Sequence, residues 1–154
     1  MSQPSTTAAA SAAEYEAIRN TVARYCFAID DKDWNSLSLI FTPDADAEYP
    51  FPGGSLKGVK AMKDTIRKRL ENVTSHHALT TQTIDIDAGD QTAKAKTYFT
   101  GTHFGKNDQQ GKSSTAYGMY VDELEVVEGF WRIRRRECII KNRVGNEDVF
   151  QPTI

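Results

Sequence analysis

Apolar residues recur with a helical period through roughly the first 70 positions and with a strand period afterwards. Tyr15, Ile18, Val22, Tyr25 and Ile29 follow one another at three- and four-residue spacing, which predicts the apolar stripe of a helix ending near residue 30. Ser11-Ala-Ala-Glu14 supplies its start signal, a serine that caps the third backbone N–H and a glutamate that reaches back. Asp33 is placed to cap a short second helix with Trp34, Leu37, Ile40 and Phe41 on its buried face, stopped by Pro43-Asp44. Residues 45–49 fit a short strand closed by the breaker cluster 50–54. Residues 58–70 fit a third helix with Val59, Met62, Ile66 and Leu70 inward. The segments 76–87, 92–104, 113–127 and 130–141 then read as strands separated by turn sequences at 88–90, 106–112 and 128–129. Helices followed by hairpin-connected strands predict an α+β fold with a mostly antiparallel sheet. A long twisted sheet wrapped by an N-terminal helix makes a cone, and the inside of a cone is a natural small-molecule pocket.

Length permits one hydrophobic core: 154 residues do not divide into two. The expected organisation is a tail over 1–10, one domain over 11–145 and a C-terminal tail over 146–154. A net charge of −2 gives no electrostatic footprint for nucleic acid. Apolar runs of only a few residues give no membrane-spanning helix. The N-terminal residues lack the basic start and apolar core of a secretory signal, so a cytoplasmic protein is expected. Cys26 and Cys138 are read as reduced, buried small hydrophobes.

Candidate chemistry begins with the three histidines, whose ordinary pKa lies nearest neutrality. Alternation in 92–104 separates Ala93, Ala95, Thr97, Phe99, Gly101 and His103 from a face bearing Lys94 and Lys96, which places His103 inward. One of His76 and His77 also points inward, and alternation does not choose between them. Asp30 is either part of a polar helix end, Asp30-Asp31-Lys32-Asp33, or an inward carboxylate that orients a histidine. Tyr25 and Tyr49 are possible hydrogen-bond donors to a carbonyl or oxyanion. No metal-ligand spacing, Gly-rich phosphate loop or Gly-x-Ser-x-Gly elbow is present, so no metal and no cofactor is expected. The basic run 132–136 reads as part of a strand, with Trp131, Ile133, Arg135, Glu137 and Ile139 inward and Arg132, Arg134 and Arg136 outward.

Two stretches carry a family resemblance: Tyr25-Cys-Phe-Ala-Ile-Asp-Asp-Lys-Asp-Trp34 with Leu37 and 41–45, and Glu128-Gly-Phe-Trp-Arg-Ile133. Over residues 12–143 the chain resembles SnoaL-like domains of the NTF2-like superfamily, whose fold is a cone-shaped α+β barrel. The resemblance extends to scytalone dehydratase, bile-acid 7α-dehydratase and hexachlorocyclohexane dehydrochlorinase. It implies a dyad of Asp30 and His77, a second histidine at His103, and tyrosines at Tyr49 and Tyr25. Ile29 stands where scytalone dehydratase has a tyrosine, while Tyr25 matches the bile-acid enzyme, a mixture that implies a related enzyme with its own substrate. Phe51, Phe99, Tyr117, Met119, Trp131 and Arg135 are expected to bind that substrate. The resulting expectation is a lyase or isomerase with dehydratase-type acid–base chemistry on a polycyclic or aromatic molecule, assembled as a trimer or dimer. Two alternatives are a binding or assembly module of the oxygenase β-subunit type and a polyketide cyclase or epoxide-opening enzyme.

Overall fold

The computed structural model describes residues 9–152, so most of the expected N-terminal tail and the last two residues lie outside the described residues. Helix α1 (Ala12–Asp30) begins at the anticipated box: Glu14 N–H donates to Ser11 Oγ at 3.3 Å, and Ser11 N–H donates to Glu14 Oε2 at 2.9 Å. A 3₁₀ turn (Trp34–Ser36), capped by Asp33, runs into the single-turn helix α2 (Leu37–Ile40). Strands β1 (Phe41–Glu48) and β2 (Ser55–Lys57) form a small hairpin ahead of helix α3 (Val59–Leu70). Four long strands follow: β3 (Val73–Asp87), β4 (Thr92–Gly105), β5 (Ser113–Val127) and β6 (Phe130–Gly145).

The six strands make one sheet in the order β2-β1-β6-β5-β4-β3. Every neighbouring pair is antiparallel except β1 with β6. That parallel pairing explains why β1 begins at Phe41 rather than at residue 45. Phe41 lies against Ile133 and is fully buried, so the residues around Pro43 are drawn into the sheet. Three residues are too few to show a period, and β2 is therefore invisible in the apolar pattern.

Single-residue bulges bend the sheet into a cone. One lies in β3 between Leu79 and Gln82, and two lie in β6, at Arg134 and at Lys141. The stripe of α1 packs across the concave side, with Ile18, Tyr25 and Ile29 in one core cluster with Ala93, Ala95, Phe99, Tyr120, Leu124 and Ile133. Beyond β6 the chain turns back at Gly145 (φ 108°) into a 3₁₀ turn (Glu147–Phe150) whose Val149 is fully buried. Cys26 and Cys138 are free and buried, and burial pushes each thiol up to about 12. Among the described residues no helix is long and apolar enough to cross a membrane.

Candidate active site

Asp30 is the last residue of α1, and the helix aims its carboxylate at the start of β3. One oxygen, Oδ1, lies 2.7 Å from His77 Nδ1 and accepts from Ser75 Oγ at 2.8 Å. The other, Oδ2, accepts the backbone N–H of His77 at 2.7 Å. Burial alone would raise the Asp30 carboxyl, but the hydrogen bonds and charge from His77, with help from Ser75, outweigh it and hold the group below the usual carboxylate range. A carboxylate this well satisfied fixes the imidazole through Nδ1 and favours the tautomer whose Nε2 lone pair is free.

His77 is therefore the inward member of the histidine pair, and His76 faces out. Opposite His77 on β4 stands Gly101, where no bulge occurs. A Cβ at residue 101 would come within 2.8 Å of both Cδ2 and Nε2 of His77, so the ring occupies the space a side chain would take. His103 follows on the same face, buried, edge-on to His77 with ring centroids 5.3 Å apart. Its Nδ1 is buried and has no hydrogen-bond partner among the described residues. Burial, reinforced by His77 and Arg69, lowers its pKa from the ordinary 6.5 to about 3, against a smaller opposing pull from the Ser114 backbone.

Tyr25 and Tyr49 share a hydrogen bond between their phenol oxygens at 2.9 Å. Burial raises both phenols, Tyr49 to about 12, so both stay protonated at neutral pH. Behind them lies the fully buried Arg136, clamped to fully buried Asp122 by Nε–H···Oδ1 and Nη2–H···Oδ2 hydrogen bonds of 2.7 and 2.8 Å. Its guanidinium lies 3.9 Å from the Tyr120 ring centroid and 4.3 Å from that of Tyr25. Phe99 stacks on the other side of this layer, 4.3 Å from Tyr120.

Tyr25, Tyr49, His77 and His103 line one cavity of about 70 Å³, with Phe51, Phe99, Tyr120, Arg69 and Arg143 among the other lining residues. Larger hollows lie outside the cone. A groove of about 500 Å³ between α1 and the β5–β6 turn contains exposed Phe27, Leu39 and Phe130, but no histidine. The histidines and phenols converge on the smaller space, which makes it the candidate site.

Four expected substrate contacts are not in this cavity. Arg135 points outward, because the extra residue Arg134 reverses the alternation of β6 and brings Arg136 inside instead. Glu137 is turned out by the same bulge. Tyr117 and Met119 pair with Thr100 and Tyr98, on the convex face of β5, whereas Gly118 and Tyr120 face inward. Trp131 is buried but lines the outer groove. Simple alternation carries a signal for two further residues, Ser75 on the face of His77 and Tyr120 on that of Leu124, whereas the inward position of Arg136 depends on the bulge. Among the described residues no group of three or more His, Cys, Asp or Glu side chains could hold a metal ion.

The sequence from residue 10 to residue 137 matches the family model described as a SnoaL-like domain. This chain belongs to the SnoaL-like family. The solved structures agree on the fold. A protein provisionally named scytalone dehydratase from Novosphingobium aromaticivorans superposes with a TM-score of 0.78 at 21% identity, over 88% of this chain and 89% of that one. A type 2 hexachlorocyclohexane dehydrochlorinase, LinA, gives 0.76 at 15% identity, over 92% and 94%. A protein provisionally named an aromatic ring hydroxylase, also from N. aromaticivorans, gives 0.79 at 24% identity, over 93% and 100%. No curated protein matches the sequence at a significant level.

The neutral His103 makes the stability of the fold depend on pH. The folded chain refuses a proton that the unfolded chain accepts between about pH 6.5 and 3, so stability should fall as pH drops through that window. Asp30 acts lower: its contribution is present above 3.8 and is lost only as pH falls through its depressed value. Thermal midpoints of the wild type and His103→Gln between pH 7 and 4 check this, with a shallower decline expected for the variant. Parallel declines would show that His103 does not titrate as stated.

Proposed function

We propose that this SnoaL-like domain is a cofactor-independent lyase or isomerase that removes a proton from carbon beside an electron-withdrawing group of a cyclic or aromatic substrate. The observation that carries the reading is the Asp30–His77 pair, engaged through Nδ1 at 2.7 Å, in a cavity that also holds paired phenols. His77 Nε2 takes the α-proton, and the C–H electrons move into an enolate. The phenol that accepts in the Tyr25–Tyr49 hydrogen bond keeps its own O–H free to donate to the enolate oxygen, the other phenol supports it, and Arg136, paired with Asp122, lies behind them. In a dehydration the enolate expels the β-hydroxyl, which leaves as water with the proton now on His77; in an isomerisation the same proton returns to another carbon.

His103 is a poor choice for the acid in this scheme, since burial keeps it neutral down to about 3. It serves as an uncharged wall and hydrogen-bonding partner beside His77. General acid–base catalysis contributes about 10²–10⁴-fold, and water exclusion with positioning supplies the remainder. The lyase neighbours in the fold comparison support the same class of chemistry.

A panel of cyclic β-hydroxy and β-halo ketones tests the reading by mass spectrometry, with loss of water or hydrogen halide as the signal. Turnover by the wild type and none by His77→Gln is expected; equal turnover by the two would end the proposal. Self-association belongs to the same reading, since exposed Phe27, Leu39 and Phe130 leave an apolar groove to cover. Sedimentation should give a dimer or trimer mass, and a monomer would remove that part of it.

A further inference from the structure

Among the described residues two arginines line the cavity, Arg69 from α3 and Arg143 from β6, and no carboxylate lines it with them. The anion near them comes from outside. Glu147, in the turn after β6, places Oε2 3.3 Å from Arg143 Nη1 and 3.6 Å from Arg69 Nη2, and its Oε1 accepts from the Ser114 hydroxyl. The arginine contacts are long for charge-assisted hydrogen bonds, which run at about 2.7–2.9 Å. The burial is also uneven: the arginine side chains are 26% and 29% exposed, whereas that of Glu147 is 51% exposed. The cations are the enclosed partners and the carboxylate is the wet one, the arrangement expected of a replaceable anion.

Arg69 is also held flat. Its guanidinium lies 4.1 Å from the ring centroid of Phe150 and 5.0 Å from that of Phe51. Burial and the neighbouring Arg143 both lower its pKa, the mark of two like charges held side by side with one glutamate between them. Arg69 and Phe51 are shared by the inner cavity and by an outer groove of about 540 Å³, which also contains Phe150. The inner cavity alone, at about 70 Å³, is far below the roughly 300–1,000 Å³ of small-molecule sites, so a ligand reaching His77 also fills the mouth beside Phe51 and Arg69, where the groove begins.

We propose that the substrate is an organic acid, its apolar ring in the cone and its carboxylate bound at the mouth by Arg69 and Arg143 in place of Glu147. This deepens the proposed function by naming a substrate class, and it rests on the cavity being the ligand site, not on proton transfer by His77.

Isothermal titration of the full chain with 1-naphthoate and with uncharged 1-naphthalenemethanol tests it. The wild type should bind the carboxylate about tenfold or more tightly than the alcohol, as two charge-assisted contacts permit. Arg69→Gln and Arg143→Gln should each remove most of that preference while leaving alcohol binding in place, which also reports an intact cavity. Glu147→Gln should act in the opposite direction, tightening naphthoate severalfold by removing the internal competitor. Equal affinity for the two probes, no binding of either, an undiminished preference in the arginine variants, or no gain in Glu147→Gln would overturn the proposal. His77→Gln should keep the carboxylate preference, so failure of the acid–base reading and failure of this one give different results.

Discussion

Replacing Asp122 by alanine should destabilise the protein by about 3–5 kcal/mol, the range for removing one partner of a buried ion pair. Arg136 and Asp122 are both fully buried, and the bidentate contact is what allows a guanidinium in the middle of the core. Without the carboxylate, the charge is left against Tyr25, Tyr120 and Phe41, whose ring faces cannot replace it. Truncation alone does not separate an uncompensated charge from a lost side-chain volume. The double variant Asp122→Leu with Arg136→Met does, because an apolar pair of similar size removes both charges and should recover much of the loss. Urea unfolding of the two variants beside wild type is the measurement. A loss under about 1 kcal/mol in Asp122→Ala would mean that the pair is not buried as described.

Alanine at Gly101 should cost activity out of proportion to stability. The glycine has no left-handed backbone requirement, and its importance is the space it leaves under the His77 ring. An added methyl would sit 2.8 Å from Nε2 and Cδ2, so the imidazole has to move while Asp30 holds its other edge. A displacement of about 1 Å at a reacting group is enough for a loss on the order of 10²-fold. Turnover and thermal unfolding of Gly101→Ala, measured together, decide the matter. A normal rate would show that the ring position over Gly101 is not the working one.

Much of the site could be read before the fold was known, and the reasons differ residue by residue. His103 was legible because β4 runs without a bulge from Ala93 to His103, so alternation holds along its whole inward face. Asp30 and His77 lie 47 positions apart, and no local pattern joins them; the family resemblance paired them, and the side-chain contact at 2.7 Å is consistent with it. Arg135 and Arg136 show the opposite case. One additional residue at Arg134 exchanges their faces, and a run of arginines contains nothing that marks which of them is the extra one. The long strands were placed to within a few residues, whereas β2 and the turn 147–150 depend on tertiary packing and have no periodic signal.

Proton abstraction by His77, its ring held by Asp30, is the central step, and proton exchange measures it without knowledge of the natural substrate. Deuterium uptake from D₂O beside the carbonyl of 2-tetralone, followed by NMR, should be accelerated by the wild type, sharply reduced in Asp30→Asn and at the buffer rate in His77→Gln. Uptake in His77→Gln at the wild-type rate would contradict it.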